Sequence, residues 1–137
     1  MKGKRKRSWG WLIPVLASVL ILVLFRLVLL IGYVPTESME PTIEKGSYIV
    51  GIRIFPELKV GDIIIFERDG ELLVKRIAAV GGEVVERNGV GIAVPEGCFY
   101  VLGDNAENSY DSRYWEDPFV SAGDVKGNLL CILSASR

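Results

Sequence analysis

The stretch from Val34 to Val50, VPTESMEPTIEKGSYIV, holds Ser38 between a threonine and two glutamates, just beyond a long apolar run. A serine hydroxyl becomes a useful nucleophile only when a base takes its proton. The chain contains no histidine, so a Ser-His-Asp arrangement is impossible. A lysine amine can replace imidazole, but only when neutral. At an unperturbed pKa of ~10.4 about one lysine in 2,500 is neutral at pH 7. Burial raises that fraction, because desolvation disfavours the ammonium. The candidate base is therefore a lysine embedded in an apolar strand.

Four lysines lie beyond the N-terminal cluster: Lys45, Lys59, Lys75 and Lys126. Three sit in polar, turn-like contexts. Lys75 alone is embedded, in Leu72-Leu73-Val74-Lys75-Arg76-Ile77-Ala78-Ala79-Val80. Strand alternation places Leu73, Ile77 and Ala79 on its face. Arg76 has equally apolar companions, so alternation alone does not decide which of the two points inward. Arginine is too basic to serve as a proton acceptor. A gatekeeper charge on an edge strand explains Lys75 equally well at this point. A third polar concentration, YVLGDNAENSYDSRYW at residues 100–115, follows a short apolar strand. By itself it also fits a solvated loop of Asx turns.

The elements that must position these residues are a membrane helix and a small β domain. Trp11 to Val34 is 24 residues with one charge, Arg26. That length spans a bilayer core as a helix. The run is too long for a signal-peptide h-region and no small-x-small site follows it, so an uncleaved anchor is expected. Lys2, Lys4, Arg5, Lys6 and Arg7 precede it, which predicts a cytoplasmic N-terminus and a translocated remainder, with Trp9, Trp11 and Tyr33 as interfacial aromatics. Arg26 lies toward the exit end and can snorkel. The expected organisation is a basic tip over 1–10, a transmembrane helix over 11–34 and an extracytoplasmic domain over 35–137. Beyond position 33 lie ten basic and seventeen acidic side chains, which argues against a nucleic-acid partner.

That domain reads as mainly β. Strand patterns cover 48–52, 63–66, 71–80, 84–85, 90–94, 98–102 and 129–133, with Asp69-Gly70 and Asn88-Gly89 as hairpin turns. No window in it carries a helical period. Short strands punctuated by glycine predict a small coiled sheet or partly open barrel. Cys98 and Cys131 can pair or remain free thiols, and no CxxC or histidine cluster suggests a metal; no cofactor is expected.

Taken together these segments resemble the type I signal peptidases, the Ser/Lys members of peptidase family S26. Ser38-Met39-Glu40-Pro41-Thr42 matches their nucleophile motif. Gly61-Asp62 with Phe66 matches the intervening box, and Lys75-Arg76 followed by Gly81-Gly82-Glu83 matches the lysine motif. Gly103-Asp104-Asn105, Asn108-Ser109 and Asp111-Ser112-Arg113 match the C-terminal motif. The order and separations agree along almost the whole domain, and the length corresponds to a minimal form without a large inserted β domain. The resemblance implies that Ser38 is the nucleophile and Lys75 the general base. It implies an oxyanion hole made by the Ser38 amide and the Thr36 hydroxyl. Ser109 would orient the Lys75 amine, Asp111 and Arg113 would form a supporting ion pair, and Met39 would line the floor near the substrate pockets. Ala106 stands where the family commonly has arginine, Gly81-Gly82-Glu83 replaces Pro-Gly-Asp, and Thr36 replaces serine or glycine.

The implied activity is removal of signal peptides from exported preproteins by a single-pass enzyme on the outer face of the plasma membrane, with a preference for Ala-x-Ala before the cut. Preprotein signal peptides and the bilayer are the expected partners, and no accessory subunit is required. With Ser38 four residues beyond Val34, the nucleophile is expected close to the outer membrane boundary. A self-cleaving Ser/Lys protein related to the SOS repressors shares the chemistry, but the anchor and the lack of a DNA-binding region argue against it. An inactive anchored β module leaves Lys75 and the polar segment unexplained.

Overall fold

The structure is a computed structural model that describes residues 9–134. The basic tip at residues 2–7 lies outside the described residues. A 3-10 turn at Trp9–Trp11 leads into α1, Leu12–Val28. Trp9–Val28 is 20 residues long, its most apolar 18-residue window has a mean hydropathy of 2.5, and no side chain of α1 is buried. A helix of that length covers about 30 Å, the thickness of a hydrocarbon core. Arg26 lies in its last turn.

The helix ends earlier than the expected boundary at residue 34. From Leu29 the backbone is extended, and Leu29–Tyr33 forms β1, antiparallel to β2, Tyr48–Ile52. A continuous apolar run carries no period that separates a membrane helix from the buried strand that follows it. What ends the helix is a tertiary contact. Leu30 and Val34 enter the core with Met39, Ile43, Ile49, Ile63 and Ile65. Gly32 lies where a Cβ would come within 3.3 Å of the Ile49 side chain.

The remaining strands are β3 (Ile63–Arg68), β4 (Glu71–Val80), β5 (Val84–Arg87), β6 (Val90–Ala93), β7 (Cys98–Leu102), β8 (Phe119–Ser121) and β9 (Val125–Leu133). Seven of the nine strands among the described residues form one sheet in the order β1-β2-β9-β3-β4-β7-β8, with every pairing antiparallel. The outer strands β1 and β8 do not meet, so the sheet stays open, and β5-β6 is a separate hairpin. Two turns read correctly from sequence: Asp69-Gly70 and Asn88-Gly89 have positive φ throughout, as two-residue hairpins of the primed type require. The strand β8 had no sequence signal of its own, and β9 begins four residues earlier than its apolar pattern.

The central strand β3 is buried on both faces. Ile63 and Ile65 join the cluster around Met39, while Ile64 and Phe66 pack with Ile77, Phe99, Val101, Trp115 and Val120. That double burial explains its uninterrupted apolar run. The two cysteines are free. They sit on β9 and β7, three strand spacings or about 14 Å apart, beyond the Cα separation of ~7 Å that a disulfide tolerates.

Candidate active site

Two halves of one strand do different work. The first half of β4 pairs with β3 from Arg68↔Glu71 to Ile63↔Arg76. Its other edge pairs with β7 only from Arg76 onward. The outer edge of Glu71–Lys75 is therefore unpaired within the sheet, and it borders a cleft of about 890 Å³ that reaches from Thr36, Ser38 and Lys75 to Glu71.

The alternation that sequence left open is settled by burial. Lys75, Ile77 and Ala79 are buried on one face of β4. Arg76 faces the other way, where its guanidinium grips Asp104 through Nε–Oδ1 at 2.8 Å and Nη2–Oδ2 at 2.6 Å. Lys75 is 4% exposed, and its Nζ lies 2.7 Å from Ser38 Oγ. Desolvation by its apolar surroundings lowers the Lys75 pKa below the ordinary 10.5; the Asp111 carboxylate opposes that shift and the Arg113 guanidinium adds to it. At this separation the ammonium donates to Oγ, and the neutral amine accepts from the Ser38 hydroxyl.

Ser38 is held by a turn with a buried anchor. Val34 N–H donates to Ser47 O at 2.9 Å and Gly46 N–H to Val34 O at 2.8 Å, which closes the base of the loop. Met39 is fully buried in the core beneath it, and Ile43 N–H donates to Met39 O at 2.9 Å. The expectation that Met39 lines the substrate floor is therefore corrected: its side chain has no exposed surface and fixes Ser38 from below. From above, Asn105 N–H donates to Ser38 O at 3.0 Å and Asn105 Nδ2 to Glu37 O at 3.1 Å. Among the described residues the Ser38 amide has no acceptor, and Thr36 Oγ1 is 3.2 Å from Ser38 Oγ at the cleft wall. Both expected oxyanion donors thus lie beside the nucleophile.

The polar segment after β7 is a buried network, not a solvated loop. Asp111 is fully buried. It receives Arg113 Nε at 2.9 Å and Nη2 at 2.8 Å, forming the expected ion pair. It also receives Gly103 N–H at 2.9 Å and the Ser109 hydroxyl at 2.6 Å. Desolvation pushes the Asp111 pKa up, but the bonds from Arg113, Gly103 and Ser109 outweigh it and hold the carboxyl below its ordinary 3.8. The Ser109 hydroxyl donates to Asp111 and the Lys75 amine contacts Ser38, so the expected direct bond between Ser109 and Lys75 is not formed in this structure. Ser109 bears on Lys75 through the carboxylate that shifts the lysine's pKa.

Three supports had no role assigned from the sequence. Gly103 is one: a Cβ there would collide with Ser109 Oγ and lie 2.5 Å from Ser38 O. Arg76–Asp104 is the second, set aside because arginine is no base. The third is Arg87 of β5, whose Nε donates to Arg113 O at 3.1 Å, pinning the network from the separate hairpin. Gly103, Asp104 and Arg76 stand in the quoted motifs, whereas Arg87 had no signal of its own.

An open antiparallel sheet brings a serine hydroxyl against a buried lysine, beside a backbone amide, a threonine hydroxyl and a cleft bordered by an unpaired strand edge. The family model described as signal peptidase, peptidase S26, matches residues 7–93 and 88–133, and the chain belongs to that family. It is 33% identical to "Probable signal peptidase I-1" of Synechocystis sp., over 72% of this chain and 67% of that one. It is 30% identical to "Signal peptidase I" of Leptolyngbya laminosa, over 61% of this chain and 59% of that one. A 25% identical relative, over 90% of each chain, is "Inactive signal peptidase IA" of Staphylococcus aureus. The chain spans between about half and two thirds of the length of the first three relatives it matches. Since family membership includes a protein named inactive, activity must be argued from the site.

Proposed function

We propose that this protein is a membrane-anchored serine endopeptidase that removes N-terminal signal peptides from exported preproteins, with Ser38 as nucleophile and Lys75 as general base. The observation that carries this reading is the 2.7 Å contact between Ser38 Oγ and a buried lysine amine at the head of the cleft. The neutral amine takes the Ser38 proton as Oγ attacks the scissile carbonyl. The developing oxyanion accepts from the Ser38 N–H and the Thr36 hydroxyl, which strengthen as charge builds. The Lys75 ammonium then protonates the leaving amine of the mature chain, the C–N bond breaks, and the signal peptide is left as an ester on Ser38. Water, deprotonated by Lys75, releases it as a carboxylic acid and restores the hydroxyl.

The substrate must be extended to present its carbonyl, and the free edge of Glu71–Lys75 offers main-chain partners for an added strand. The earlier end of α1 changes the membrane geometry. Ser38 follows the helix by ten residues, five of them folded back into the sheet as β1. Tyr33 remains on the outer surface, 57% exposed, with its ring 5.3 Å from that of Tyr48, suited to a lipid headgroup layer. In this reading α1 spans the plasma membrane with the basic tip inside and the sheet outside, which confines enzyme and membrane-held substrate to one layer.

The test is incubation of the full chain in detergent with a preprotein, followed by mass measurement of the products. A single cut after the signal sequence, lost in Ser38→Ala, is expected. An intact preprotein, or equal cleavage by Ser38→Ala, would overturn the proposal.

A further inference from the structure

The cleft carries a feature that the chemistry does not use. Glu71, Leu73 and Lys75 occupy alternate positions of β4 and share one face, along the edge that no strand covers. All three line the cleft. Each extended residue advances about 3.4 Å, so Glu71 lies about 14 Å from Lys75, four residues along the strand. A peptide paired to this edge advances at the same rate. Its residue opposite Glu71 is therefore about four from the one opposite Lys75.

Glu71 is exposed and, among the described residues, in no ion pair. Its cross-strand partner Arg68 is occupied: Nη2 donates to Asp117 O at 2.8 Å, Nη1 to Phe119 O at 3.3 Å, and the guanidinium lies 4.2 Å from the centre of the Trp115 ring. Asp69, Glu116 and Asp117 line the same end of the cleft. That end is negative, the middle at Leu73 is apolar, and the reacting end holds a lysine that works uncharged.

Building on the endopeptidase reading, we propose that Glu71 is a specificity-determining residue that favours substrates with a lysine or arginine three to five residues from the scissile bond. Opposite charges steer and hold the extended segment, and a carboxylate on the substrate is repelled. The pairing is exposed to solvent, so it weakens as salt screens it.

The experiment uses the full chain in non-ionic detergent and a preprotein carrying Lys, Gln or Glu singly at each of six positions on either side of the cut. The Lys-to-Glu ratio of kcat/KM is expected to reach about tenfold at a position three to five residues away and to fall toward one in 0.5 M salt. Glu71→Gln should lower the ratio at that position, and Glu71→Lys should invert it. Cleavage of the Gln series with ratios within twofold at every position overturns this proposal alone, as does a ratio unchanged in Glu71→Lys. No cleavage of the Gln series overturns the endopeptidase reading and this proposal with it.

Discussion

At the scale of single residues, the account depends on an amine that burial keeps short of protons. Only neutral Lys75 accepts the Ser38 proton, so the rate is lost as pH falls through the folded-state pKa, and the ascending limb of a pH–rate profile is expected below 10.5. A limb at 10.5 or above would remove the burial argument. Because Asp111 opposes the lowering, Asp111→Asn should move the limb further toward acid. The same desolvation costs stability. The unfolded chain binds more protons than the fold between the folded pKa and 10.5, so this group's contribution to stability rises with pH across that window. Lys75→Met is expected to stabilise the fold by about 1–2 kcal/mol, read as a higher Tm, while abolishing turnover. Thr36→Val should lower kcat by about 10²–10³ if its hydroxyl serves the oxyanion, and Thr36→Ser should keep most activity. A Val variant within a few-fold of the parent would assign the second donor elsewhere. Elimination marked Lys75 as the one embedded lysine but left a gatekeeper charge equally open; the motif resemblance supplied its pairing with Ser38, and the structure brings the two side chains together. Met39 and Ser109 were placed near correct neighbours but given the wrong contacts. Motif spacing identifies neighbours; which way a side chain turns depends on the core beneath Ser38 and on the competing carboxylate of Asp111.

At the scale of elements, the informative departure is β1. Hydropathy marks the apolar run to Val34 as one object, yet its last residues belong to the sheet and its core. Two truncations separate the readings. A chain starting at Leu29 keeps β1 and should fold; one starting at Pro35 loses Leu30 and Val34, whose burial contributes about 1.5–3 kcal/mol each, together with a paired strand. Equal Tm values for the two would return β1 to the membrane segment. Gly103 makes a second test. Gly103→Ala places a methyl against Ser109 Oγ and Ser38 O, and a rigid backbone oxygen cannot yield cheaply. Destabilisation of about 1–3 kcal/mol is expected, with a lower kcat as the nucleophile loop shifts. A variant with parental Tm and kcat would show the loop to be more compliant than this packing allows. The hairpins at Asp69-Gly70 and Asn88-Gly89 were legible because their turn chemistry is local. The short β8 was not, since it is defined by pairing with β7 rather than by its own three residues.

At the scale of the whole molecule, one apolar N-terminal helix precedes an open sheet that carries the Ser38–Lys75 contact, a cleft and an unpaired strand edge, and the proposed function sets these in one layer outside the bilayer. The open, mainly β character of the domain was legible from short strands and glycine spacing. Its strand order was not, because β9 joins β2 to β3 across the length of the domain. Two carboxylates make the fold sensitive to acid. The Arg76 bond keeps Asp104 below its ordinary 3.8, and Asp111 is likewise depressed. Depressed carboxylates contribute stability that is present above the unfolded value and lost as pH falls through the folded one. Tm is therefore expected to fall on acidification below about pH 4, less steeply in Asp104→Asn. The central claim, that Ser38 and Lys75 together cut the peptide bond, is tested most directly by single-turnover processing of one preprotein by the parent, Ser38→Ala and Lys75→Met, each shown folded by its thermal transition. The account predicts one cut by the parent and a loss of at least ~10³-fold in both variants. Processing by folded Lys75→Met within tenfold of the parent would contradict it.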